Sequence, residues 1–260
     1  MGILNVTPDS FSDGGQFTSA QQAADYAIKM IHDGADIIDI GGESTRPGAK
    51  AVSLEEELKR VKPVIKAIRK QSDCLISIDT YKASVAETAL DLGADIVNDI
   101  SSLSFDQDMA NLISTRKVPI ILMHMQGSPQ DMQINPIYNN LINDLIHFFK
   151  SKIEIASKAG ILKNMIILDP GIGFGKEVED NFEIIRELKQ IKAMGYPILL
   201  GPSRKSFIGK ALNLPLEERL EGTMASMAVG IINGAKIVRV HDVIETRRTV
   251  SIVENILGKY

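Results

Sequence analysis

Eight short apolar runs rich in β-branched residues recur along the chain, each ending on polar residues or glycine. Each is followed by a longer stretch with apolar residues three and four apart, the spacing of an amphipathic helix. In order they predict strands over 3–6, 36–40, 75–79, 95–99, 119–124, 165–169, 197–200 and 236–241, with helices over 20–33, 54–71, 82–92 and 181–194 among the intervening segments. Runs that are almost wholly apolar, such as Met165-Ile166-Ile167-Leu168, are expected of parallel strands covered on both faces. Eight such units predict an α/β fold, a single (β/α)8 TIM barrel spanning 1–260, and 260 residues is a typical size for one such domain. An open doubly wound sheet shares the alternation. Six strands are more usual there, and no G-x-G-x-x-G follows the first strand. The triplets Gly34-Ala35-Asp36, Gly93-Ala94-Asp95 and Gly234-Ala235-Lys236 place a glycine where a helix ends before the next strand. The polar segment 127–136 is a loop suited to covering a site.

The charge balance narrows the partners. The chain has 29 basic and 33 acidic residues, spread along its length for a net charge of -4. No basic tract follows a nucleic-acid backbone, which points to a small-molecule ligand. Cys74 is the one cysteine, so no internal disulfide is expected, in keeping with a reducing cytoplasm. No run of about 20 apolar residues spans a bilayer, and no basic stretch leads into an apolar one at the start. A soluble, cytoplasmic protein is expected.

In an α/β barrel the active site forms where the strands end at their C-terminal tips. Those tips are polar here: Asn5, Asp39 leading into Gly41-Gly42-Glu43, Asp79, Asn98 with Asp99, His124, Asp169, Ser203-Arg204-Lys205, then Arg239 and His241. Asp79 and Asp169 each end an apolar run, and a carboxylate in such a place must be paired or solvated to stay charged. With the amide of Asn98, which both donates and accepts, they suit a flat heterocycle with several ring nitrogens. Each alone also fits a cap for the following helix. Alternation sends Arg239 and His241 to the same side of the eighth strand. Phosphate sites in barrels commonly form from the loops after strands seven and eight, so Gly201-Pro202-Ser203-Arg204-Lys205-Ser206, with Arg239 and His241, predicts a phosphorylated substrate, with surface ion pairs as the competing reading for Arg239 and His241. Two long polar, glycine-rich loops, over 5–15 and 41–48, suit lids that exclude water, although both contain ordinary turn sequences.

The segments Met1-Gly2-Ile3-Leu4-Asn5-Val6-Thr7-Pro8-Asp9-Ser10-Phe11-Ser12-Asp13-Gly14-Gly15 and Gly41-Gly42-Glu43-Ser44-Thr45-Arg46-Pro47-Gly48 resemble the two signatures of the dihydropteroate synthase family. Later family segments are recognisable in Ile78-Asp79-Thr80, Asn98-Asp99-Ile100, Leu122-Met123-His124-Met125, Asp169-Pro170-Gly171-Ile172-Gly173-Phe174-Gly175-Lys176, Ser203-Arg204-Lys205-Ser206-Phe207 and Arg239-Val240-His241. The resemblance implies a transferase of folate biosynthesis that joins a dihydropterin pyrophosphate to p-aminobenzoate and releases pyrophosphate. It implies that Asp79, Asn98, Asp169 and Lys205 hold the pterin edge, that Arg239 covers its face, and that Arg239 and His241 meet the pyrophosphate. Thr45 and Met123 join the pterin diphosphate set. Phe11, Thr45, Arg46, Pro47, Phe174, Gly175 and Ser206 surround the aminobenzoate, and Asn5 places Mg2+ on the pyrophosphate. The implied catalytic residues are Asp79, Asp169, Lys205, Arg239 and His241. They promote a substitution in which pyrophosphate leaves early from the methylene beside the ring, with no covalent enzyme intermediate. The family also implies a homodimer and sensitivity to sulfonamides.

The chain begins inside the first strand, where members of the family usually have several residues more, so trimming at that end is expected. A pterin-binding methyltransferase barrel would share the carboxylates and asparagine, but it needs no pyrophosphate tips. A Schiff-base aldolase is a further reading of Lys205. An inactive pterin-binding scaffold comes from another class, and pyrophosphate release separates it from an enzyme.

Overall fold

The computed structural model describes residues 1–7, 20–45 and 48–258. The expected strands are present as β1 (Gly2–Asn5), β2 (Ile37–Gly41), β3 (Leu75–Asp79), β4 (Ile96–Asp99), β5 (Ile120–Met123), β6 (Ile166–Asp169), β7 (Leu199–Leu200) and β8 (Ile237–Val238). Strands β1 to β6 form one sheet in sequence order, and β7 pairs with β8. All the pairings are parallel. Single bridges from Leu168 to Ile198 and from Gly2 to Val240 join the two sets. Across these seams Leu168 N donates to Pro197 O at 2.9 Å, Ile3 N to Val240 O at 2.9 Å, and Val240 N to Met1 O at 3.0 Å. The sheet is thereby closed, and closure removes the exposed edges of an open sheet.

The period of two along each strand decides what faces where. Ile38 and Ile40, Ile76 and Ile78, Ile120 and Leu122, and Ile166 and Leu168 face outward, into one large core shared with the helices. The opposite face of the same strands forms a second, smaller cluster inside the barrel, from Met1, Ile37, Ile96, Ile121, Ile167 and Leu199. One step of alternation further along these strands come Ile3, Asp39, Asn98, Met123, Asp169 and Gly201. The interior thus has an apolar floor and, above it, a layer into which Asp39, Asn98 and Asp169 bring polar groups.

The surrounding helices are α1 (Ala20–His32), α2 (Leu54–Arg69), α3 (Ala83–Asp91), α4 (Met109–Arg116), α5 (Leu141–Lys158), α6 (Val178–Arg186), α7 (Leu188–Lys192), α8 (Ser206–Leu212), α9 (Leu220–Ile232) and α10 (Val243–Ile256). The glycines at three helix ends adopt the left-handed conformation expected of them, Gly34 and Gly93 at φ 103° and Gly234 at 116°. In each case the next residue's N–H reaches back five positions: Ala35 to Met30, Ala94 to Ala89, and Ala235 to Gly230, all at 2.9 Å.

Two expectations are corrected. The helix read over 181–194 starts earlier, at Val178, because Glu177 and Asp180 form a reciprocal capping box there. It is also broken at Glu187 (φ -98°, ψ 12°) into α6 and α7. The cause lies in α9's C-cap, Asn233, whose Nδ2 takes the carbonyls of Ile185 at 2.8 Å and Arg186 at 3.2 Å and so competes with the helix's own ladder. The last two strands are shorter than expected. Lys236 N and Ile237 N both donate to Ile198 O, at 2.9 and 3.1 Å, and His241 N donates instead to the side chain of Ser203 at 3.2 Å.

Candidate active site

A cavity of about 490 Å³ opens at the C-terminal ends of the strands. Asn5 from β1, Thr45 after β2, Phe174 after β6, Lys205 and Ser206 after β7, and Arg239 and His241 after β8 line it. The expected pterin residues Asp79, Asn98, Met123 and Asp169 lie deeper and are buried. Arg239 stands between the two groups. It lines the cavity, and its Nε donates to Asp39 Oδ2 at 2.6 Å while its Nη2 donates to Asp79 Oδ2 at 2.7 Å. Asn98 Nδ2 donates to the same Asp39 oxygen at 3.2 Å. Asp39 is therefore the common anchor of this layer. In the sequence Asp39 is one polar residue among several at strand tips, with no role evident from its position alone. Its period-two relation to Ile37 and Gly41, which turns it into the barrel, was the available signal. Phe11, Arg46 and Pro47 lie outside the described residues.

Asp169 is held from below, its Oδ1 accepting from Gly171 N at 2.7 Å. Lys205 Nζ sits 4.1 Å from the centroid of the Phe174 ring, a cation–π contact. Phe174 packs in turn on Ile100, Met123 and Met132. Met123 is thus a wall behind Phe174 as well as a neighbour of the carboxylates. Gly175 does not line the cavity and serves as backbone, its carbonyl accepting from the Tyr138 hydroxyl at 2.5 Å. Ser203 Oγ lies 2.9 Å from His241 Nδ1. That contact leaves Nε2 as the ring nitrogen available to a ligand, an assignment that follows from the hydrogen-bond pattern. Arg204, expected with Lys205 at the phosphate end, is committed to Asp242, with Nε to Oδ2 at 3.0 Å. Of the two residues for which surface ion pairs are the competing reading, Arg239 is paired, with buried Asp39 and Asp79 rather than with surface acids.

The loops are fastened by residues the sequence reading passed over. Lys82 bridges Glu43, in the loop after β2, to the buried Glu57 of α2, and Tyr81 donates to Glu43 Oε1 at 2.9 Å. Segment 127–136 reaches the site as expected. Met132 lines the cavity, Gln133 Nε2 donates to Gly173 O at 2.7 Å, and Pro129 O accepts from Gly48 N at 3.0 Å. Lys176 is buried with His124, its Nζ 3.0 Å from Nδ1. Such ties are not announced in the sequence, because their partners lie on other loops and elements far along the chain.

Burial sets the protonation of these groups. It lowers the Lys205 amine to about 8, a shift Arg239 reinforces and Asp169 and Asp79 resist. It lowers Lys176 to about 7 against the attraction of Asp169 and Asp180. His241 is pushed down to about 3 by burial and then by Arg239 and Arg204, so its ring is neutral. Burial alone would lower Arg239, but Asp39 and Asp79 outweigh it and hold the guanidinium above its ordinary value. Asp169 is raised by burial although the Gly171 N–H pulls the other way. Asp79 rises from 3.8 to about 7, through burial first, against Arg239 and with Asp39 and Glu57 adding to the rise.

The chain matches the pterin-binding enzyme family over residues 1–241. It is 52% identical over 260 residues to the dihydropteroate synthase of Clostridium beijerinckii, covering 100% of this chain and 94% of that protein. Among solved structures it resembles the Yersinia pestis dihydropteroate synthase in complex with a sulfonamide drug, with a TM-score of 0.95, 45% identity, and 99% and 94% of the two chains covered. It also resembles the Clostridium difficile dihydropteroate synthase crystallised with pteroic acid, with a TM-score of 0.92, 49% identity, and 98% and 95% covered. The chain belongs to the pterin-binding enzyme family and, within it, to the dihydropteroate synthases, which are transferases.

The raised Asp79 carboxyl has a consequence for stability. Between about pH 4 and 7 the folded chain keeps a proton on Asp79 that the unfolded chain has lost. The folded state then binds more protons, so this group's contribution falls as pH rises through the window and levels off above it. Asp79→Asn removes the titration. Thermal unfolding of the unmodified chain is expected to lose Tm more steeply between about pH 5 and 7 than that of the variant; parallel profiles would show that Asp79 does not titrate there.

Proposed function

We propose that the chain joins the methylene carbon of (7,8-dihydropterin-6-yl)methyl diphosphate to the amine of p-aminobenzoate, giving 7,8-dihydropteroate and pyrophosphate. One observation carries this reading. Three buried polar atoms of the upper interior, Asp39 Oδ1, Ser77 Oγ and Asn98 Oδ1, have no hydrogen-bond partner among the described residues. A buried acceptor without a partner costs about 1–3 kcal/mol, and a ring edge bearing several N–H donors relieves that cost. Directly above them the cavity wall carries Lys205, Arg239 and a neutral His241, which suits the diphosphate end of the same molecule.

In this reading Asp79, Asn98 and Asp169 take the ring, Lys205 reaches its edge, and Arg239 exchanges its carboxylate partners for the ring face and the diphosphate. The C–O bond breaks with its electron pair going to pyrophosphate. The amine nitrogen of aminobenzoate then forms the C–N bond and gives up one proton. Asp79 and Asp169 stabilise positive charge spreading from the methylene into the ring, while Arg239 and His241 meet the charge growing on the departing oxygens. Phe174 and Ser206, with Thr45, receive the aminobenzoate, and Phe11, Arg46 and Pro47 complete that end. A sulfonamide of the kind bound by the Yersinia pestis protein competes for it.

Mg2+ fits as a guest of the diphosphate. The described residues hold no cluster of three His, Cys, Asp or Glu able to bind a metal. Asn5, on the cavity wall, offers one amide oxygen, and Mg2+ bound through phosphates and water needs few protein ligands. When bound it would neutralise part of the diphosphate charge. Exposed Val229 and Ile232 on α9 and Ile252 and Ile256 on the neighbouring α10 support a homodimer through these helices. A cytoplasmic location accords with a lone cysteine and with no described helix long and apolar enough to cross a membrane.

Pyrophosphate release with the pterin substrate and Mg2+ is expected only when p-aminobenzoate is added. Tight pterin binding without that release would favour a methyltransferase barrel or an inactive scaffold. Chelating Mg2+ is expected to weaken binding of the pterin diphosphate and to leave binding of the pterin alcohol unchanged by calorimetry; equal loss for both ligands would count against a metal on the diphosphate. Sedimentation is expected to give a dimer that Ile232→Lys converts to monomer, and a monomeric unmodified chain would dismiss the helical interface.

A further inference from the structure

The loop from β6 to α6 lies against the backbone leaving β5 with almost no clearance. Gly171 and Gly175 take φ of 68° and 61°. A Cβ on Gly171 would stand 1.9 Å from His124 O, and one on Gly175 2.8 Å from Gln126 O. At the centre of this seam the side chain of Lys176 turns back beneath the loop. Its Nζ donates to Phe174 O at 2.9 Å, lies 3.0 Å from His124 Nδ1 and reaches His124 O at 3.4 Å. The residue is 4% exposed. All its partners are neutral, and no ion pair of Lys176 with a carboxylate occurs among the described residues. A buried amine in such company carries a desolvation cost. A methionine would fill similar space without it, so packing gives no reason for the amine.

The polar partners give one. His124 is fixed by edge contacts with Phe148, ring centroids 4.7 Å apart, and by Tyr138 at 5.9 Å, so the pair hangs from α5 and the tip of β5. Through Lys176 that rigid point holds the carbonyl of Phe174, whose ring carries Lys205 Nζ. The loop's other end is secured separately, by Asp169 Oδ1 on Gly171 N. The two ends thus answer to different substrates.

We infer that Lys176, paired with His124, is a positioning residue for the second substrate: its Nζ holds the Phe174 carbonyl and so fixes the Phe174 ring where p-aminobenzoate is received. The inference rests on the transfer reaction proposed above. Neither residue lines the cavity. Releasing the carbonyl displaces the ring while Asp79, Asn98 and Asp169 keep their own supports.

The test is steady-state kinetics of Lys176→Met, His124→Leu and His124→Asn beside the unmodified chain, with the Kd of the pterin diphosphate measured calorimetrically for each. Lys176→Met and His124→Leu are expected to raise KM for p-aminobenzoate about tenfold, the scale of one lost positioning interaction. Pterin Kd should stay within about twofold, and His124→Asn, which keeps an acceptor near Nδ1, should recover most of the KM. Unchanged KM overturns the inference, as does a parallel loss of KM and pterin affinity or a failure of both apolar variants to fold. An unmodified chain without aminobenzoate-dependent release would instead bring down the transfer reaction itself.

Discussion

Every second side chain of a strand in a closed barrel points inward, and the interior has room for only a few layers of them. In this chain the lowest layer is apolar, with Met1, Ile37, Ile96, Ile121, Ile167 and Leu199 packed together. Asp39, Asn98, Met123 and Asp169 follow one alternation later on four of the same strands. The site is the part of the interior that the hydrophobic core leaves unfilled. A slip of one residue in β2, β3 or β6 would send Asp39, Asp79 or Asp169 into the helix-facing core and an isoleucine or leucine into the site. Register therefore supports stability and chemistry together.

Placing carboxylates in that layer is unfavourable unless positive charge meets them. Arg239 does so for two of them, from the last strand, which bonds across the seam to the first. Lys205 acts on Asp169 and Asp79 through space. The orphaned oxygens of Asp39 and Asn98 show that the compensation is partial. What remains unsatisfied is a set of buried oxygens able to accept from a ligand's N–H groups.

The eight strands, the closed barrel and the polar tips were legible in the sequence because each rests on local periodicity and on residue types at strand ends. Asp79, Asn98, Asp169, Lys205, Arg239 and His241 could be found that way. Less legible was anything that depends on a distant backbone. The break at Glu187 comes from Asn233, 46 residues on by the numbering, and no pattern within 178–192 foretells it. Arg204 and Lys205 are adjacent cations in sequence, yet the first turns to Asp242 and the second to Phe174, because Arg204 takes the left-handed conformation at φ 56°. Lys176 and His124 carry familiar motif residues, but their pairing exists only once the β5 and β6 loops are brought together.

The segment between β5 and α5 touches the neighbouring loop after β6 and also reaches the loop after β2: Gln133 and Tyr138 hold the carbonyls of Gly173 and Gly175, and Pro129 O meets Gly48 N. Three loops, after β2, β5 and β6, are therefore tied together, with the middle one as buttress. Barrels of this class are often regarded as scaffolds whose loops can be exchanged one at a time. Here a transplanted loop would arrive without the carbonyls its neighbours expect. A chimera built from two relatives has to carry these three loops across as a block, and divergence in any one of them is constrained by the sequences of the other two.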